Sequence, residues 1–209
     1  MLKILIADDH EIVRKGLKTI LVDAADKIIV DEASNGQEAL NKINKNNYNM
    51  VVLDISMPGK GGLDVLKQIK SENLNLPVLV LSMHSEEQYA RRVLRAGASG
   101  YMTKSTATEE LLNAIYKVAR GGKYISSTLA EELALNIETD STKPLHAKLS
   151  DREYQVMIRI AAGKTIKEIA GELCLSPKTI TTYRTRVLEK MKLKNNSQLI
   201  FYAIENNLE

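Results

Sequence analysis

The sequence predicts two folded units: an open α/β unit on a five-stranded parallel sheet, then a smaller all-helical unit. Three observations carry this reading. Short runs of branched aliphatic residues recur at 3–8, 27–33, 50–54, 77–82 and 100–103, and such runs fit strands buried on both faces. Helical spacing fills the intervals, so strand and helix alternate five times, as in a doubly wound sheet. Over the last 60 or so residues of the 209 only helical spacing remains.

The elements follow in order. In 11–22, Ile12, Val13, Leu17, Ile20 and Leu21 fall on one stripe and predict the first helix. A capping box at Ser34–Gln37 opens the second, and Leu63, Leu66 and Ile69 define the third over 62–70. Ser85–Gln88 opens the fourth, which Gly97 should stop. Thr106–Glu109 opens the fifth, which Gly121 should stop after Leu111, Leu112, Ile115 and Val118. The first unit is therefore expected over 1–122. A connector, 123–146, holds a short helix at 128–137 (Leu129, Leu133, Ile137) and a patternless stretch, 138–144, that reads as a flexible linker. The second unit, 147–209, predicts helices at 151–162, 166–173, 177–191 and 197–206. Capping boxes at Ser150–Glu153 and Thr165–Glu168, and Ser176 ahead of Pro177, mark three starts.

Composition excludes several classes. Hydrophobic residues are 44% and charged residues 26%, which excludes a disordered, collagen-like or disulfide-scaffold chain. Apolar runs are too short to span a bilayer. The N-terminal stretch turns acidic at Asp8 too early for a signal peptide, and the single cysteine, Cys174, has no internal partner, so a cytoplasmic location is expected. Charge is uneven: residues 147–209 hold 11 basic against 7 acidic residues, after an acidic connector. A basic terminal unit suggests a polyanionic partner.

Ligands of open parallel sheets bind at the C-terminal ends of the strands. Asp8 and Asp9 follow the first run, Asp54 ends the third, Ser82 the fourth, and Lys104 follows the fifth. If strands 1, 3, 4 and 5 are neighbours, these side chains converge. Three carboxylates in one pocket need a cation, and hard oxygen donors suit Mg²⁺. A carboxylate is a competent nucleophile toward a phosphoryl group, whose charge then needs a metal on one side and a cation such as Lys104 on the other.

These residues resemble the receiver domain of two-component response regulators. The matching pieces are Ile6-Ala7-Asp8-Asp9-His10, Leu53-Asp54-Ile55-Ser56-Met57-Pro58-Gly59, Leu81-Ser82 and Ala96–Lys104, within residues 1–122. The resemblance implies a flavodoxin-like fold in which Asp54 accepts phosphate from a histidine kinase. It further implies that Asp9, Asp54 and the Ser56 carbonyl ligate Mg²⁺ and that Asp8 acts through a metal-bound water. Ser82 and Lys104 would grip the phosphoryl oxygens, and Tyr101 matches the family's switch aromatic. His10 is expected to be structural or on the surface; His84, two residues past Ser82, is a candidate influence on the lifetime of the phosphate.

In the second unit, Leu149–Glu153, Gly163–Ala170 and Leu175–Ile180 resemble the LuxR-type helix-turn-helix domain, and the two units together match the NarL/FixJ class. The helix 177–191 would enter a major groove. Ile180, Val187 and Met191 form its inward stripe. Thr181, Thr182, Thr185 and Arg186 face away, and the threonine hydroxyls and methyls suit base edges. Lys178, Arg184, Lys190 and Lys194 suit phosphates. The family's common Lys, His and Arg are replaced by Thr181, Tyr183 and Asn196, so the resemblance does not carry over a DNA site. Cys174 is expected to pack in the turn as a small hydrophobe. The last helix carries Leu199, Ile200, Ala203 and Ile204, partly for the core and partly, by resemblance, for a homodimer formed on phosphorylation. The expected function is a phosphorylation-controlled transcriptional regulator that binds double-stranded DNA and no membrane. It would not be an enzyme beyond phosphotransfer to its own Asp54 and slow autodephosphorylation. Two alternatives are a phosphatase or phosphotransferase on the same acid cluster and a regulator governed by protein contacts alone.

Overall fold

Five strands form one parallel sheet: β1 (Leu2–Ala7), β2 (Ile28–Ala33), β3 (Met50–Asp54), β4 (Val78–Ser82) and β5 (Gly100–Thr103), in the order β2-β1-β3-β4-β5. The structure is a computed structural model that describes residues 1–24, 28–72, 75–83, 86–135, 144–206 and 208, with the side chains of 86–88 and 132–135 excepted. His84, the Ser85 cap and the connector 138–143 lie outside the described residues. The crossovers are α1 (Glu11–Ala24), α2 (Gly36–Lys45), α3 (Gly62–Glu72) and α4 (Glu86–Arg95), and α5 (Thr108–Ala119) follows the last strand. Strands 1, 3, 4 and 5 are neighbours, as the convergence of the acid cluster requires.

Side chains alternate across the pleat. Ile4 and Ile6 of β1, Val52 of β3, Leu79 and Leu81 of β4 and Met102 of β5 share one face. That face packs with Leu17 and Leu21 of α1 and Leu111, Ala114, Ile115 and Val118 of α5. β3 and β4 are buried at every position, which explains their unbroken aliphatic runs. The chain reverses direction of winding at β1, which pairs with β2 on one side and β3 on the other. A crevice opens at such a switch point, and Asp8 and Asp54 stand at it.

Three local expectations are corrected. Ile12 is 87% exposed, off the buried stripe of α1, which Leu17 and Leu21 form. The α2 cap is Asn35, whose side chain accepts from the Glu38 N–H, while Glu38 reaches back to the Ser34 N–H at 2.8 Å. The cap of α5 is Ala107, with no side-chain bond. Gly97 and Gly121 do end the preceding helices, both at positive φ.

The chain divides into two compact units, Met1–Glu131 and Glu132–Glu209. The first runs past 122 because Tyr124 bridges to β5, its N–H donating to Ser99 O at 2.9 Å, and because Leu129 of α6 (Ser127–Leu135) is buried. The second unit has a short 3₁₀ turn (Leu145–Lys148), α7 (Asp151–Ala161), α8 (Ile166–Leu173), α9 (Pro177–Met191) and α10 (Asn196–Glu205). Both expected capping boxes form, and Ser176 caps α9 with Pro177 in the first turn. α8 and α9 are joined by a tight turn in which Cys174 is left-handed (φ 52°) and exposed, not packed inward. The turn needs that backbone, and it points the thiol outward. Leu199 and Ala203 of α10 are core, whereas Phe201 and Ile204 are exposed. No helix among the described residues is long and apolar enough to cross a membrane.

Candidate functional site

Asp8, just past β1, and Asp54, the last residue of β3, are each only 2% exposed. Lys104, just past β5, places its Nζ 2.6 Å from Asp8 Oδ2 and 2.8 Å from Asp54 Oδ2. One ammonium thus faces two buried carboxylates. Burial opposes the charge on Lys104, but the two carboxylates outweigh it and hold its pKa above the usual lysine value. Burial also pushes the Asp54 carboxyl upward, and Lys104 only partly offsets this. A buried carboxylate in that state lacks positive charge.

The donor set fits a hard divalent cation. Ligand atoms of Asp8, Asp9, His10 and Asp54 lie within 4.8 Å of one another. Asp9 Oδ1 is inaccessible and accepts no hydrogen bond, though His10 Nδ1 stands 3.0 Å away. A buried carboxylate oxygen that no hydrogen bond satisfies fits an oxygen-loving ion. His10 is largely exposed, its backbone N–H donating to Asp8 Oδ1 at 2.8 Å, so it braces the cluster.

The walls come from tight backbone. The Ser56 N–H donates to Asp54 Oδ1 at 3.0 Å, which turns the Ser56 segment over the carboxylate. Gly62 lets that loop close: a Cβ there would sit 2.0 Å from Asp54 O. Ser82 is fully buried at the end of β4, and its carbonyl accepts from the Lys104 N–H at 2.7 Å. Tyr101 is also fully buried, on β5. Sequence reasoning missed Arg14, whose Nη1 donates to Asp8 O at 2.7 Å and whose Nε stands 3.6 Å from Glu32. Its position on α1, six residues past Asp8, was the available signal.

In the second unit, Lys178, Thr181, Thr182, Thr185, Arg186 and Glu189 line one open groove along α9. Ile180, Val187, Leu188 and Met191 face the core. Thr181, Thr182 and Thr185 are exposed, and each hydroxyl donates to the carbonyl four residues back: Pro177, Lys178 and Thr181, at 2.9, 3.0 and 3.1 Å. Two basic residues have partners within the unit. Lys190 Nζ donates to Glu153 Oε2 at 2.7 Å, tying α9 to the capping box of α7. Burial works against the Glu153 charge, yet Lys190 and Ser150 bring its pKa below the usual value. Arg184 Nε donates to Asn196 Oδ1 at 2.7 Å, tying α9 to α10. Lys194 is exposed beyond α9. Glu189 was not singled out in the sequence, although its helical spacing from Arg186 and Thr185 puts it on the same face.

Known proteins match both units. The response regulator receiver domain family matches residues 4–116, and the luxR family of bacterial regulatory proteins matches 147–203. The chain is 38% identical to the response regulator UvrY of Escherichia coli K12 over all of this chain and 96% of that one. It is 34% identical to the response regulator GacA of Pseudomonas aeruginosa, over 100% and 98%. A solved structure of RcsB from Salmonella enterica serovar Typhimurium, bound to the promoter rprA with the phosphomimetic BeF₃⁻, superposes with a TM-score of 0.67. The two are 26% identical, over 97% of this chain and 98% of that one. A buried acid cluster with one lysine at the strand ends, followed by a helix-turn-helix unit, places this chain among the response regulators of the NarL/FixJ class, to which it belongs.

Proposed function

We propose that this response regulator takes a phosphoryl group on Asp54 from a histidine kinase and in that form controls its binding to promoter DNA. The observation that carries the proposal is the buried Lys104 ammonium, 2.6 and 2.8 Å from Asp8 and Asp54. It supplies the cation that a carboxylate nucleophile's new phosphate needs. A carboxylate oxygen of Asp54 attacks phosphorus and forms an aspartyl phosphate, while the P–N bond to the kinase's phosphohistidine breaks and the imidazole leaves with that electron pair. Lys104 and the Ser82 hydroxyl hold the phosphoryl oxygens, and Tyr101 registers the movement of Ser82. Asp8, Asp9, Asp54 and the Ser56 carbonyl are the residues that would hold Mg²⁺, which when bound supplies charge neutralisation at the phosphoryl oxygens. The chemistry is confined to transfer onto the chain's own carboxylate and slow hydrolysis from it. We assign the receiver function to 1–122 and DNA binding to 147–209, joined by a connector, 123–146, whose first residues pack within the first unit, in a cytoplasmic protein.

For DNA, α9 lies in the major groove of a duplex with Thr181, Thr182 and Thr185 toward the bases. Lys178, Arg186 and Lys194 reach phosphates, while Arg184 and Lys190 position the helix through Asn196 and Glu153. Exposed Phe201 and Ile204 on α10 suit a homodimer contact, which phosphorylation promotes. RcsB was solved on promoter DNA, which supports the same use of this unit. The test is incubation with acetyl phosphate and Mg²⁺. Wild type should gain one phosphate by intact mass and bind promoter DNA more tightly, whereas Asp54→Asn should gain none. Stoichiometric labelling of Asp54→Asn removes the assignment.

A further inference from the structure

We propose that α9 reads its DNA site as a hydrogen-bond acceptor and methyl surface, with Thr181, Thr182 and Thr185 selecting bases that carry exocyclic amino or methyl groups. The inference rests on the reading of α9 as the DNA-facing helix and names what that helix recognises.

The three hydroxyls have one proton each, and each proton is engaged with a carbonyl of the preceding turn at 2.9–3.1 Å. Threonine in a helix is held to few χ1 rotamers, and this back-bond stabilises those that keep Oγ1 against the helix. A hydroxyl oxygen that has donated its proton still offers lone pairs. The outward chemistry of each threonine is therefore an acceptor beside a methyl group. Glu189, on the same groove, adds an acceptor-only carboxylate, and Arg186 and Lys178 are the groove's cationic donors. In the major groove the partners of acceptors are the N6 amino of adenine and the N4 amino of cytosine, and the partner of a methyl is the C5-methyl of thymine. Guanine presents only acceptors, N7 and O6, on that edge, so it finds no partner on the threonines. The stripe occupies the positions i, i+1 and i+4 and begins in the first half of α9, the part of a recognition helix that meets base edges.

The experiment uses full-length protein phosphorylated with acetyl phosphate. Selection from a randomised duplex pool gives a bound site. Affinity is then measured on that site with single bases replaced. Purine replaces adenine, pyrimidin-2-one replaces cytosine (each removing the amino group), uracil replaces thymine, and 7-deazaguanine replaces guanine. Wild type should lose roughly 2- to 13-fold on removal of at least one amino group, and several-fold on at least one change to uracil. The matching Thr→Val variant, which keeps the shape and removes the oxygen, should be indifferent to loss of that amino group. The matching Thr→Ser variant, which keeps the oxygen and removes the methyl, should be indifferent to uracil. The proposal is overturned if no amino or methyl removal weakens wild type. It is also overturned if a Thr→Val variant loses only its sensitivity to 7-deazaguanine, since the threonine is then a donor. Failure of wild type to enrich any sequence overturns the DNA-binding reading itself, an outcome distinct from enrichment that ignores the threonines.

Discussion

The two units place their polar groups in opposite settings. In the first, Asp8, Asp54 and Lys104 come from three strand ends far apart in sequence, are buried, and are paired with one another. In the second, Thr181, Thr182 and Thr185 come from two turns of one helix, are exposed, and bond only to their own backbone. A buried constellation depends on the whole sheet and responds to a change anywhere around it. An exposed stripe depends on one helix and its anchors, so its residues can change while the fold stays. The glycines show the same contrast. A Cβ on Gly62, beside the pocket, would meet Asp54 O at 2.0 Å and Ile55 Cα at 2.6 Å, whereas one on Gly171 of α8 meets nothing within 4 Å.

The sharpest break of this contrast is Gly62→Ala. The clash is with backbone, so we expect a loss of roughly 3 kcal/mol in the first unit and loss of phosphate uptake from acetyl phosphate. Urea unfolding with wild-type stability would show that the loop yields and the pocket is less constrained than argued. Next is Glu153→Ala, which removes the capping box of α7 and the partner of Lys190. It should cost the second unit about 2 kcal/mol. Its companion is the pair Lys190→Ala and Arg186→Ala in a DNA titration at several salt concentrations. Arg186→Ala should lower the salt slope by about one and Lys190→Ala should leave it unchanged. Equal slopes for the two variants would return Lys190 to the phosphates.

Third is the pH dependence of Asp54. Its native pKa is raised above the ordinary 3.8 by burial. The folded state therefore binds more protons than the unfolded one between 3.8 and the raised value, and stability falls as pH rises through that window. Without divalent metal, Asp54→Asn should gain about 1 kcal/mol at pH 7, and the gain should vanish as the pH falls below 3.8. Thermal unfolding in EDTA checks this, and a gain that grows toward acid would reverse the sign we assign. The smallest effect is Gly171→Ala, which replaces a helical glycine in open space and should add about 0.5–1 kcal/mol. Destabilisation there would mean that α8 is as constrained as the pocket.

The pocket was legible because two facts suffice: a parallel sheet gathers its strand ends, and acidic residues stand at those ends. The order β2-β1-β3-β4-β5 then brings Asp8, Asp54 and Lys104 together. Less visible were features set by distant neighbours. Lys190 looks like any surface lysine until Glu153, 37 residues away, is placed beside it. Arg14 looks like a solvated helix residue until Asp8 O is found at 2.7 Å. Ile12 matched the apolar spacing of α1 but is exposed, because the buried stripe of that helix is set by Leu17 and Leu21. Caps failed where two polar residues competed for one position, as Ser34 and Asn35 did, and Asn35 took it. The stripe on α9 was legible by periodicity alone, but the direction of its hydroxyl protons was not.

The exposed Cys174 has a practical consequence. It is the sequence's one thiol, and the left-handed turn between α8 and α9 holds it at the surface. A maleimide fluorophore would therefore attach at a single defined point of the natural sequence, one residue before Leu175 and two before the cap of α9. Emission from that point gives an optical clock for the approach of a duplex to the turn. The rate at which phosphate addition alters that approach becomes measurable in real time on the wild-type chain.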